Sequence, residues 1–337
     1  MSKVPESERL VGAPAPDDDL LVVIVARIGD TILITPMLRA LKEASPRGTL
    51  TVLAHPKRVE VLKHLPFIDR LGTIKPKSAW LWGRLGGKRF AIAFVFGHDS
   101  PLLRYAQRLS ARVVAFGDGA PARDAARCIL VPRPRTPIHA VRERLMLAEA
   151  VGITARNLRL TYVVTDAERQ WAVHWLAKAF PAAGPVVGLQ MVSFPTKAHR
   201  NWPAQSFAGL AERILARHPA ASFVVLGDRE AKTGAEALSQ RVRGKVRVAA
   251  GKLSLRESAA VIAELDLYVG VDTGPTHIAG ALEVPMIGIY HHAYPGRYLA
   301  PLNRASCSVL EQPAVGELSV DQVMSEVESL LPSERVA

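Results

Sequence analysis

The chain has 337 residues, too many for one typical domain and about right for two, and 49% of them are hydrophobic, enough for sizeable cores. Its two cysteines, Cys128 and Cys307, lie far apart without metal-ligand spacing, which argues against a disulfide framework; no apolar run reaches transmembrane length, and the first residues lack a signal-peptide core. A cytoplasmic protein is expected. The formal net charge is +12, and residues 70–135 alone hold thirteen Lys and Arg against three Asp. Such a field concentrates anionic partners, with nucleic acid, anionic lipid and a phosphorylated saccharide all qualifying.

Residues 1–19 are polar and Pro-rich and read as a disordered leader. Asp17-Asp18-Asp19 could mimic an acidic metal motif, but lies outside any strand end and reads better as a solvated tail. Leu20 to Val25 is a buried strand, Arg27 to Asp30 a turn, and Thr31 to Ala44 a helix with an apolar face at Ile34, Met37, Leu38 and Leu41. A strand over 49–53 and a helix over 57–64 complete a Rossmann-like unit without G-x-G-x-x-G. Asp30 has two readings, a helix cap or a general base at the carboxyl edge of the first strand, where open α/β sheets keep their sites.

Residues 73–90 mix cations with Trp80, Leu81 and Trp82, which suits either an ordinary packed loop or contact with an anionic membrane face. Strands are expected over 90–97 and 111–116, and helices over 104–109 and from Ile138 through Ala150. The stretch 132–137 is stiff and basic. Leu160 to Val164 is strand-like, Asp166 caps a helix to Phe180, and the Pro- and Gly-bearing stretch 181–185 marks the domain boundary.

The second domain opens with the strand 186–190. Thr196, Lys197 and Arg200 follow on a loop that is either a solvated basic segment or a grip for phosphate. A helix over 205–218, a strand over 222–226 and a sheet-edge turn at 227–230 come next, then a short strand at 246–248 and a helix ending at Glu264. Leu267 to Val271 is a buried strand whose turn places Asp272, Thr273 and Gly274 at a helix N-terminus, with Pro275 in its first turn. That geometry attracts phosphate. His277, one turn in, is either a satisfied buried histidine or a phosphate contact. Met286 to Tyr290 is the next strand. His291, His292 and Tyr294 hint at a metal, but adjacent histidines on a strand point to opposite faces. Leu318 to Leu331 is a final amphipathic helix.

The wording D-T-G-P-T-H-I-A-G-A-L-E-V-P at 272–285 resembles the C-terminal signature of glycosyltransferase family 9, D-[ST]-G-x-x-H-x-A-x-A-L-x-x-P. R-I-G-D-T-I-L-I-T-P-M-L-R-A-L at 27–41 resembles its N-terminal signature, in which the Asp matching Asp30 is the presumed base. The family's K-x-W-P pattern is here Arg200 ahead of Trp202-Pro203, and an Asp often found after the strand's Phe is here Ala91.

The resemblance covers residues from about 20 to 330. It implies an α/β fold of the GT-B type, two Rossmann-like domains with parallel sheets facing a central cleft. The N-terminal, acceptor-binding domain would span 20–180 and the C-terminal, nucleotide-sugar-binding domain 181–317, with a helix over 318–337 crossing back to the first. It further implies inverting, metal-independent transfer of heptose from ADP-heptose to a lipopolysaccharide core, an anionic acceptor that would fit the basic first domain, with no cofactor. The cations and tryptophans of 73–90 add the expectation of peripheral contact with the inner face of the cytoplasmic membrane. Thr196, Lys197, Arg200, Asp272, Thr273, Gly274 and His277 would hold the donor, and Glu230 its ribose. Two alternatives stand beside it: the same fold with another nucleotide sugar, or a basic nucleic-acid-binding protein. The second is disfavoured by few aromatics arranged for base stacking, and no nucleic acid is expected.

Overall fold

The computed structural model describes residues 12–77, 79, 89–97, 99–117, 128–302 and 305–331. The chain divides into two compact units that part between Thr161 and Tyr162.

The first unit is built on six parallel strands: β1 (Leu20–Ile24), β2 (Leu50–Ala54), β3 (Arg70–Thr73), β4 (Phe90–Phe96), β5 (Ser110–Phe116) and β6 (Ile129–Val131). Their order is β3-β2-β1-β4-β5-β6, with Leu20 level with Leu50 on one side and Ile92 on the other. Every residue of β1 is buried, which is why its sequence is continuously apolar rather than alternating.

The helix expected over 31–44 is two: α1 (Ile28–Leu33) and α2 (Thr35–Ala44). Pro36 has no N–H to offer the carbonyl four residues back, and the Thr35 hydroxyl donates to that carbonyl, Ile32 O, at 2.8 Å instead. The helix expected over 57–64 is only a 3₁₀ turn at Val59–Leu62. His64 then takes a left-handed φ of 66°, and Leu65, preceding Pro66, is biased away from helix. Two further helices, α3 (Ser100–Leu109) and α4 (Ala140–Glu149), belong to this unit.

The end of the expected leader is tied down. Pro16 O accepts from the amides of Arg47 and Gly48, Asp18 O accepts from the Ser45 hydroxyl, and the Asp19 carboxylate accepts from Thr49 N at 2.7 Å. Asp18 and Asp19 therefore serve the backbone of the first unit. Trp80, Leu81 and Trp82 lie outside the described residues.

The second unit repeats the plan. Its strands are β7 (Val186–Gln190), β8 (Ser222–Leu226), β9 (Val246–Val248), β10 (Leu267–Val271), β11 (Met286–His291) and β12 (Cys307–Gln312), all parallel, in the order β12-β11-β10-β7-β8-β9. Counted from each unit's own first strand, both orders are 3-2-1-4-5-6, the doubly wound arrangement. In each, the order reverses between the first strand and the fourth: β1 beside β4, and β7 beside β10. Ligands of such sheets bind outside the carboxyl ends of those strands.

The helices here are α5 (Asp166–Ala179), α6 (Ala204–Arg217), α7 (Lys232–Arg241), α8 (Leu255–Ala263), α9 (Gly274–Leu282), α10 (Gly296–Leu299) and α11 (Val320–Leu330). Helix α5 was expected to close the first domain but belongs to the second. Its Glu168 pairs with Arg256 of α8 and completes a capping box with Thr165. The division therefore falls ahead of the stretch 181–185. Helix α11, expected to cross back to the first domain, buries Val323, Met324 and Val327 in the core of the second unit, against α6. In the same core Trp202 is fully buried and donates from Nε1 to Leu318 O at 2.8 Å.

Candidate functional site

In the second unit, Asp272 leaves the end of β10 with its amide on Ile289 O of β11 at 3.1 Å, which holds it at the carboxyl edge of the sheet. Its side chain is only 6% exposed. Oδ2 accepts from Arg200 Nη1 at 2.7 Å, and Oδ1 lies 3.5 Å from His277 Nε2. Arg200 comes from the loop after β7, where a 3₁₀ segment spans Pro195–Arg200, and its side chain is 11% exposed. The two strands at the switch point thus each deliver one member of a buried ion pair.

A buried pair of this kind needs its remaining polar atoms satisfied. Two are not: Arg200 Nε and His277 Nδ1 are buried without a protein partner. Both belong to residues for which a phosphate contact is one of the two readings of the sequence.

Next to them α9 begins. Thr273 is its N-cap in an extended conformation, no side chain caps it, and Pro275 sits in its first turn. Thr276 donates from Oγ1 to Val271 O at 2.6 Å, fastening the turn to the strand below. The amide end of a nine-residue helix is therefore left open at the switch point.

Lys197 is held over the same place. Its Nζ donates to Tyr294 Oη at 3.2 Å, and Arg200 Cζ lies 3.6 Å from the Tyr294 ring centroid. The hydrogen bond from Lys197, and then the charge of the Arg200 guanidinium over the ring, hold the Tyr294 phenol below its ordinary pKa. His199 and His291 meet edge to face, 4.9 Å between ring centroids. Burial, and then the charges of His199, Arg200 and His292, lower the pKa of His291.

The structure thus gathers Lys197, Arg200, Asp272 and His277 into one network, with Thr273 and Gly274 adjoining in the chain. Thr196 is exposed beside Lys197. Glu230 follows β8, the neighbour of β7, in a 3₁₀ turn at Arg229–Ala231. It is exposed and shares a hydrogen bond with Asp228: burial and this bond raise the pKa of Asp228, and the same bond lowers that of Glu230. Gly227, with φ 116°, permits the turn, because a Cβ there would meet Gln190 Nε2 at 3.0 Å.

In the first unit, Asp30 sits in the first turn of α1, just past the end of β1, with its side chain 42% exposed. No side chain caps that helix, and Asp30 is not a cap. Its Oδ1 accepts from Arg144 Nη2 at 2.5 Å, while Arg144 Nη1 donates to Ala140 O at 2.9 Å. Part of the basic excess is spent internally: Arg133 pairs with Glu143 and lies 4.1 Å from the Phe116 ring centroid.

Sequence reasoning missed Arg144 and Tyr294. Arg144 has no motif of its own. Tyr294 was noticed only beside two histidines as a hint of metal, although an aromatic facing basic residues could have suggested stacking. Among the described residues no three His, Cys, Asp or Glu side chains are grouped to hold a metal ion, and no helix is long and apolar enough to cross a membrane.

The family model described as glycosyltransferase family 9 (heptosyltransferase) matches residues 127–327. The chain is 22% identical over 309 residues to the lipopolysaccharide core heptosyltransferase OpsX of Haemophilus influenzae, covering 88% of this chain and 86% of that one. The crystal structure of a family 9 glycosyltransferase from Veillonella parvula superposes with a TM-score of 0.80 at 21% identity, over 95% of this chain and 99% of the other. The structure of E. coli ADP-heptose lps heptosyltransferase II does so with a TM-score of 0.76 at 16% identity, over 93% and 98%. With a family match over more than half its length and two doubly wound domains of the GT-B type, this chain is a glycosyltransferase belonging to family 9.

Proposed function

We propose that the protein transfers heptose from ADP-heptose to a lipopolysaccharide core saccharide, with inversion at the anomeric carbon and without a metal ion. The first domain would bind the acceptor and the second the donor. The names of the relatives point to heptose and the lipopolysaccharide core. The observation that carries the reading is the cationic network at the β7/β10 edge, where Arg200 and His277 keep buried nitrogens unpartnered beside an open helix N-terminus.

In the reaction Asp30 takes the proton of the acceptor hydroxyl as that oxygen bonds the anomeric carbon. The bond from that carbon to the β-phosphate oxygen breaks on the opposite face, its electron pair leaving with ADP. Lys197, Arg200 and the amides at Thr273–Gly274 meet the charge that develops on the diphosphate. Protein cations and dipoles thereby take the part a divalent ion plays elsewhere. Glu230 would accept from the ribose hydroxyls. The basic surplus of residues 70–135 suits an anionic acceptor and the anionic inner face of the cytoplasmic membrane.

The test is ADP release by the purified protein given ADP-heptose and truncated lipopolysaccharides, alongside calorimetry with ADP and UDP. Transfer with ADP-heptose and preference for ADP are expected. Preference for UDP would replace the donor, and no release with any acceptor would remove the reading.

A further inference from the structure

Tyr294 has no part in the reaction above, yet it touches both cations of the donor site. It lies on the loop after β11 and is 38% exposed, whereas the Arg200 side chain against it is 11% exposed. The ring centroid is 3.6 Å from Arg200 Cζ and 4.7 Å from Lys197 Nζ, and the hydroxyl accepts from Lys197. We infer that Tyr294 is a positioning residue that sets Arg200 and Lys197 in place for the diphosphate of a nucleotide sugar. This rests on the donor assignment proposed above.

All five N–H groups of a guanidinium lie in its plane. A ring on its face therefore fixes that plane without occupying an N–H. The Asp272 carboxylate takes Nη1 at one edge and fixes the rotation within the plane. Held by both, the guanidinium has its orientation set before a ligand arrives. The unpartnered Nε lies in that plane.

Lys197 poses the opposite problem. Its ammonium rides on a flexible four-carbon stem, and ordering such a stem on binding costs affinity. The Tyr294 hydroxyl gives Nζ one fixed acceptor. One side chain thus orders two cations by two different means, the ring for Arg200 and the hydroxyl for Lys197, and substitutions can separate them.

The experiment is calorimetric ADP binding by the full-length protein, together with steady-state kinetics, for the wild type, Tyr294→Phe, Tyr294→Leu and Arg200→Gln. Tyr294→Leu should weaken ADP roughly five- to tenfold and raise the donor KM in step. Tyr294→Phe keeps the ring and should cost only about twofold. The acceptor KM and the thermal unfolding midpoint should not move. ADP bound by Tyr294→Leu as tightly as by the wild type, or more tightly as if a cover had been removed, overturns the inference. If Arg200→Gln loses ADP while Tyr294→Leu does not, the inference alone fails. If the wild type binds no ADP, the donor assignment fails with it.

Discussion

Arg144 holds the carboxylate of Asp30 by one oxygen, Nη2 to Oδ1 at 2.5 Å, and leaves Oδ2 without a protein partner among the described residues. The arginine is itself fixed by Ala140 O and is 15% exposed, whereas the aspartate is 42% exposed. An acid pinned on one side and open on the other is suited to taking a proton from a fixed direction.

Asp30→Asn preserves the shape and removes the proton acceptor. Transfer should fall about 10²- to 10⁴-fold with ADP-heptose binding unchanged. Single-turnover rates beside calorimetry check this, and a rate within twofold of wild type would take Asp30 out of the chemistry.

Arg144→Ala should lower kcat roughly tenfold through loss of orientation, with the donor KM unaltered. Added guanidinium ion should restore part of the rate, because the vacated space matches it. A variant that loses activity only by unfolding would show no such recovery.

Asp272→Asn removes the counter-ion of a guanidinium that stays buried. A loss of about 3–5 kcal/mol in the stability of the second domain is expected, read by urea denaturation. The double variant Arg200→Met, Asp272→Leu should regain most of that stability and still fail to bind ADP. Recovery of both together would show that the pair is structural only.

Glu168 should make the protein sensitive to acid. Hydrogen bonds from Arg256, the leading cause, hold its pKa down to about 2 from an ordinary 4.5. A depressed carboxyl contributes stability that is present above 4.5 and lost as the pH falls from there towards 2. Solvent screening at this partly exposed site limits the contribution to about 1 kcal/mol. Urea midpoints at pH 6 and pH 3 should therefore diverge less for Glu168→Gln than for the wild type, and equal divergence would assign the acid sensitivity elsewhere.

Much of this was legible in the chain. Continuous apolar runs such as Leu20–Ile24 and Leu267–Val271 announce strands buried on both faces, and turn residues mark the sheet edge where Asp30 and Asp272 stand. What escaped was set by partners distant in sequence. Nothing local to 27–41 says that Arg144 will reach Asp30. Nothing local to 195–203 says that Arg200 will turn inward to Asp272 rather than outward to solvent. The break at Ile34 could have been read from Pro36, but the apolar period of the helix ran through it. The edge strands β3, β6 and β12 carry no run buried on both faces to announce them, and α5 sits with the second unit through Arg256, a partner far downstream.

The Thr35 hydroxyl that donates to Ile32 O also accepts from Thr161 N at 3.0 Å, and Arg39 of α2 holds Asn157 O, Arg159 O and Thr161 Oγ1. The chain's exit from the acid-bearing half is thus moored to the helix pair that begins it. A separately expressed N-terminal half cut at the loop following α4 would forfeit those moorings and leave Arg39 and the acceptor side of the Thr35 hydroxyl to water. One that runs through Thr161 would keep them.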